Sequence, residues 1–120
     1  MLGRTRRLGL EGENTAARYL VAQGFKLVAR NWRGRSGEID LVCEDAETLV
    51  FVEVKARAST ACGGPEEAVD RRKLAKLRQV AAEYLAREQC GERPCRFDVV
   101  AVRLLPGHEP RIHHLRGVDL

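Results

Sequence analysis

No apolar run in this chain approaches the ~20 residues that a membrane-spanning helix needs. The first ten residues carry Arg4, Arg6 and Arg7 but no apolar segment of the kind that directs secretion. The expected location is therefore the cytoplasm, with no membrane partner. None of the four cysteines, Cys43, Cys62, Cys90 and Cys95, forms a Cys-x-x-Cys pair, which leaves a zinc site without support. Free thiols are the expectation for a cytosolic chain. Cys43 reads as strand core, and Cys90 and Cys95 flank a Gly/Pro loop. His108, His113 and His114 have no carboxylate or cysteine at ligand spacing and read as surface or strand residues. Internal repeats and low-complexity segments are also absent.

What is present is the composition of a soluble globular protein, 44% hydrophobic and 32% charged over 120 residues. That length predicts one domain, residues 1–120, large enough for a real core. Its first eight residues read as a mobile basic arm. Charge is unevenly spread. Residues 1–35 hold eight basic and two acidic side chains, whereas residues 36–54 hold six acidic and no basic ones. An acidic segment between basic flanks suits a protein that binds a polyanion and a divalent cation. Ordinary solvated surface charge is the bland reading.

The acidic segment is the most informative one. Gly37-Glu38-Ile39-Asp40-Leu41-Val42-Cys43 and Leu49-Val50-Phe51-Val52-Glu53-Val54-Lys55-Ala56-Arg57 both alternate apolar and polar residues, the period of half-buried strands. A turn at Ala46-Glu47 makes a β-hairpin in which facing residue numbers sum to 93. That register places Ile39, Leu41 and Cys43 on one apolar face with Val50, Val52 and Val54. On the other face Asp40 lies opposite Glu53, and Glu38 lies opposite Lys55. Like charges facing each other across strands are destabilising. Two such carboxylates share a proton or a cation, and magnesium takes carboxylate oxygens. Lys55, two residues beyond Glu53, points to the same face. Two carboxylates and a lysine on one sheet face suit metal-assisted phosphate chemistry. The competing reading is a solvated polar face with one Glu38–Lys55 ion pair.

Elsewhere, residues 10–23 read as a helix whose stripe is Leu10, Glu13, Ala17, Leu20 and Val21, stopped by Gly24. Glu13 on that stripe either serves the helix dipole or is aimed at a site. Residues 25–32 read as a strand. The loop after it, Asn31-Trp32-Arg33-Gly34-Arg35-Ser36-Gly37, holds the one tryptophan and, with Arg30, three arginines. It suits phosphate contact or base stacking, and equally a tryptophan capping the core. A second helix is expected over residues 65–88 with Pro65 in its first turn. Arg71, Arg72, Lys73 and Lys76 crowd its first half, either as a solvated face or as contacts to a phosphate backbone. Residues 96–104 are nearly continuously apolar, as in a strand covered on both faces. Asp98 is the one acid inside it. Residues 111–115 suit a last edge strand.

The order helix, three strands, helix, strand, with the acidic pair on the second and third strands, resembles the PD-(D/E)xK nuclease superfamily. This is the α/β fold of restriction endonucleases and archaeal Holliday junction resolvases, a mixed central sheet flanked by helices. Gly37-Glu38-Ile39-Asp40-Leu41, Phe51-Val52-Glu53-Val54-Lys55-Ala56-Arg57 and Arg96-Phe97-Asp98-Val99-Val100 look like the small bacterial YraN family of that superfamily. So do Gly9-Leu10-Glu11-Gly12-Glu13 and Asn31-Trp32-Arg33. The likeness runs over residues 8–115.

The resemblance implies a magnesium- or manganese-dependent DNA endonuclease, selective for branched or damaged DNA. Asp40, Glu53 and the Val54 carbonyl would be metal ligands, and Lys55 would orient or activate the water. Glu13 would be a further catalytic carboxylate. Arg30, Arg33, Arg35, Arg57, Arg71, Arg72, Lys73 and Lys76 would be nucleic-acid contacts, and a homodimer is expected. Ile39 stands where many nucleases have proline. The alternative is a non-catalytic module with a nuclease-like fold that binds nucleic acid or a protein partner.

Overall fold

The computed structural model describes residues 4–58 and 70–118. The element order is α1 (Arg4–Ala22), β1 (Lys26–Arg33), β2 (Glu38–Asp45), β3 (Thr48–Arg57), α2 (Arg71–Arg87), β4 (Cys95–Arg103) and β5 (Arg111–Leu115). The strands form one five-stranded sheet in sequential order. β1, β2 and β3 make an antiparallel meander, β4 joins β3 in parallel, and β5 returns antiparallel along β4. The fold is thus α/β, a mixed sheet between two helices with a restriction endonuclease-like order. No described helix is long and apolar enough to cross a membrane.

Strand alternation divides the core in two. On one face Ala16, Ala17 and Leu20 of α1 pack with Leu41, Cys43, Val50, Val52, Val100 and Val102. On the other, Leu74, Leu77, Val80, Ala81 and Tyr84 of α2 pack with Val42, Leu49, Phe51 and Val99. Both faces of the inner strands are buried, which is why β4 is apolar along most of its length.

The α1 stripe is rotated from the predicted one. Leu10 and Val21 are 46% and 53% exposed, while Glu13, Ala16, Ala17 and Leu20 face the sheet. Gly12 sets the rotation. A Cβ there would collide with the Cβ of Ala56, so the helix meets β3 through its glycine. The helix also begins at Arg4, so residues 4–8 are helical, not an arm. It ends as predicted at Gly24, whose φ of 96° suits a residue without a side chain. The second helix starts at Arg71, later than Pro65 predicted. Asp70 caps it, accepting from the N–H groups of Arg72 (3.0 Å) and Lys73 (3.3 Å). The predicted first turn at Pro65 lies outside the described residues.

The hairpin has the expected register, with Leu41 facing Val52, Val42 facing Phe51 and Cys43 facing Val50. Ile39 departs from the expected face and packs on the α2 side with Trp32, whereas Leu41 and its β1 partner Arg30 lie on the α1 side. Asn31, at φ 50°, is the left-handed residue that turns the strand between Arg30 and Trp32. Two-residue alternation cannot register such a turn.

Asp98 belongs to this framework. It is fully buried, and its carboxylate accepts from Arg96 Nε (2.9 Å) and Nη2 (3.2 Å) and from the Gly117 N–H (3.0 Å). His114 Nε2 lies 2.7 Å from the same carboxylate, and Tyr19 Oη lies 3.2 Å from His114 Nδ1. His114 therefore has the carboxylate partner that sequence spacing hid, because antiparallel pairing of β5 with β4 brings residues 98 and 114 together. Burial pushes Asp98 up, but bonds from His114, Arg96 and Gly117 outweigh it and hold the carboxyl below its ordinary value. The described cysteines, Cys43, Cys90 and Cys95, are free thiols. Burial, and then the Asp98 charge, push Cys43 up to about 12.

Replacing Asp98 by Asn leaves the Arg96 charge without its buried counter-ion, so Asp98→Asn should cost about 3 kcal/mol in urea denaturation at neutral pH. With its folded value depressed, the wild-type carboxylate stabilises the fold above its ordinary value of 3.8. That contribution is lost as the pH falls through the folded value, so the deficit of the variant should shrink in acid.

Candidate active site

The hairpin ladder ends at Leu41 and Val52. One step further Asp40 and Glu53 come to the positions where they would face each other, and the strands separate. In place of a ladder bond, the Val54 N–H donates to Asp40 Oδ2 at 2.8 Å. β2 stays with β1 through Ile39 and Glu38, while β3 stays with β4 through Glu53 and Lys55. The gap between them holds the acid pair. Burial pushes Asp40 up, the Val54 N–H partly offsets this, and the charges of Glu13 and Glu38 add to it. Glu53 is pushed up to about 7, by burial first and by Asp40 second, against the pull of Lys73 and Lys55.

Lys55 follows Glu53 on the α2 face. Burial, and then the adjoining Lys73 amine, hold Lys55 below the usual lysine range. The Glu38–Lys55 ion pair of the bland reading is not formed. Glu38 instead pairs with Arg33, whose Nε lies 2.9 Å from Glu38 Oε2. Lys73, expected only as a nucleic-acid contact, reaches in from the first turn of α2, with Nζ 3.8 Å from Glu53 Oε1. A long side chain in the first turn of a capped helix is the signal for this reach. It was obscured because Pro65, not Asp70, marked the helix start in the sequence.

Glu13 sits in the third turn of α1, too far from the helix start for the dipole to explain it. It is nearly buried, and its Oε1 accepts from Arg30 Nη2 (3.0 Å), Arg30 Nε (3.3 Å) and Asn31 Nδ2 (2.8 Å). Its charge reaches Asp40, but its nearest role is to hold β1 at the turn where the sheet splits. Among the described residues no three His, Cys, Asp or Glu side chains gather closely enough to hold a metal ion. Asp40 and Glu53, with the Val54 carbonyl, are the groups that could hold a hard cation, which on so few protein ligands would keep most of its waters.

The basic residues divide by role. Arg30 is taken by Glu13 and by Asn14 Oδ1, at 2.6 Å. Residues 34–37 are clamped onto α2. Glu83 accepts from the Arg35 N–H (2.6 Å), the Ser36 N–H (3.1 Å) and Ser36 Oγ (2.9 Å). These bonds, the Arg35 N–H first, hold its carboxyl below the usual range. A Cβ on Gly34 would meet that carboxylate at 2.5 Å, so the clamp requires glycine. Lys76 lies against Gly37, which brings the loop beside the basic turn of α2. Arg71, Arg72 and Lys76 are exposed there, and Arg57 ends β3. Trp32 is a core cap: its ring meets Tyr84 edge-on at 5.2 Å, and the Arg87 guanidinium covers it at 5.2 Å.

The family described as uncharacterised protein family UPF0102 matches residues 12–102. The chain belongs to the UPF0102 family, which is the YraN family of the sequence resemblance. The chain is similar to UPF0102 proteins of Beutenbergia cavernae, at 53% identity over 92% of the chain and 94% of the relative. It also resembles those of Nocardia farcinica (46%, over 98% and 92%) and Symbiobacterium thermophilum (49%, over 90% and 90%). The matched residues of this UPF0102 member span Glu13, the split hairpin, α2 and most of β4.

Glu53 carries the clearest pH signature. Between its ordinary 4.5 and about 7 the folded chain keeps a proton that the unfolded chain has released. Stability therefore falls as pH rises across that window. Glu53→Gln should match the wild type near pH 4.5 and exceed it at pH 8 by on the order of 2 kcal/mol in metal-free denaturation.

Proposed function

We propose that the chain is a magnesium- or manganese-dependent endonuclease that hydrolyses DNA phosphodiester bonds, with preference for branched or damaged structures. The carrying observation is the pair of desolvated, mutually repelling carboxylates, Asp40 and Glu53, held beside Lys55 where two strands part. A folded chain that brings like charges together out of water has a cation as their natural partner. Asp40, Glu53 and the Val54 carbonyl would hold the ion. When bound it activates water and stabilises charge on the phosphate.

The remaining work falls to the chain. The Val54 N–H fixes the Asp40 carboxylate. Lys55 orients the attacking water through its amine and donates to the phosphate as negative charge builds there. Glu13 acts through Arg30 and Asn31 by holding the turn of β1. Arg35, Lys76, Arg71 and Arg72 contact the phosphate backbone, which is read through charge and is therefore salt-sensitive. Two copies of the chain would place two sites on two strands, and the free thiols suit a cytoplasmic location.

Purified protein incubated with linear, nicked and four-way-junction DNA should cut in the presence of magnesium or manganese, and the junction fastest. Asp40→Asn, Glu53→Gln and Lys55→Met should each lower the cleavage rate by roughly 1000-fold, the scale of losing one preorganised charge-stabilising group. Salt-dependent DNA binding without any metal-dependent cutting would instead favour the non-catalytic module.

A further inference from the structure

We propose that Lys73 is a tethered counter-cation of the Asp40–Glu53 pair, which a divalent ion displaces and which then becomes a contact for the incoming phosphate. The inference rests on the metal-site reading above and assigns a role to a residue outside the acidic motif.

Lys73 is the cation that α2 brings to the charge cluster, next to its own capping acid Asp70. Asp70 sets where that helix begins, so its cap places Lys73 over the split hairpin. The Lys73 amine lies 3.8 Å from Glu53, whose side chain is 16% exposed, while Lys73 itself is 55% exposed. Its charge also acts on Asp40. The contact is therefore long, on the solvent side, and made by a flexible side chain. Lys55 differs: it projects from β3, the strand that carries Glu53, two residues beyond it.

Charge balance gives the sequence of events. Asp40 and Glu53 are balanced in charge by Lys55 and Lys73, with Glu13, Glu38 and Asp70 standing around them. A divalent ion on the carboxylates turns the set strongly positive, and Lys73 is the cation free to swing away. Asp70 remains beside it but is engaged as the helix cap by the N–H groups of Arg72 and Lys73, so the amine turns to the incoming phosphodiester. Ion and substrate are thereby coupled, because the lysine that guards the acids is released only when the ion takes its place.

The test needs no substrate. Manganese is titrated calorimetrically into wild type, Lys73→Met and Lys73→Arg, and thermal unfolding is followed with and without it. Lys73→Met should bind manganese roughly 3- to 10-fold more tightly, from the loss of one screened positive charge beside the ion. Its metal-free Tm should fall, so its metal-induced rise in Tm should exceed that of the wild type. Lys73→Arg, which keeps the charge, should follow the wild type. Equal or weaker manganese binding by Lys73→Met overturns the counter-ion role. A lower Tm without tighter binding also overturns it, since a merely structural lysine would give that result. No manganese binding by the wild type overturns the metal-site reading itself, together with the inference.

Discussion

The parting of β2 from β3 at Asp40 and Glu53 is the constraint on which the site depends. A backbone N–H at the end of a ladder must find an acceptor. Here the Val54 N–H finds the Asp40 carboxylate instead of a β2 carbonyl. One bond therefore both ends the hairpin and fixes an acid at its fork. The same level of the sheet carries the left-handed Asn31 on β1, which Glu13 holds through its side-chain amide. Below that level Arg30 and Leu41 face α1, and above it Trp32 and Ile39 face α2. β1 and β2 change course together while β3 runs on beside β4, and the acid pair occupies the resulting wedge.

Keeping two carboxylates in that wedge works against the fold, as the raised values of Asp40 and Glu53 record. The rest of the molecule compensates with rigid packing. α1 meets β3 through Gly12 against Ala56, α2 is capped at Asp70, and the far end of the sheet is tied by Asp98, His114 and Arg96. That last network lies on the α1 face, away from the acids. It explains how β5 and the Gly117 backbone are anchored to β4, and it leaves Asp98 no part in the proposed chemistry.

Much of the positive charge is spent on architecture. Arg30 goes to Glu13, Arg33 to Glu38, Arg93 to Glu44, and Arg96 to Asp98 and Asp45. A count of basic residues in the sequence therefore overstates the surface for a polyanion. What faces outward near the acids is the first turns of α2 and the loop that Glu83 clamps to it. The proposed route for a phosphate backbone is thus narrower than the list of basic residues suggests, and it begins at Lys73.

The hairpin register was legible in the sequence because two-residue alternation and a two-residue turn admit one pairing that buries Leu41, Cys43, Val50 and Val52 together. Gly24 marked the end of α1 for a similarly local reason, since a left-handed cap wants a residue without a side chain. The acidic pair and Lys55 were legible as types at a spacing, and the family likeness named their positions. Tertiary structure alone decided the rest. The turn at Asn31 sent Ile39 to the other face, Gly12 rotated α1 so that Leu10 and Val21 turned outward, and antiparallel pairing of β4 with β5 brought Asp98 to His114. Lys73 reached Glu53 only because α2 crosses over the fork. Local periodicity records which face a residue prefers. Which distant side chain meets it there depends on how whole elements cross, and that is a property of the packed chain.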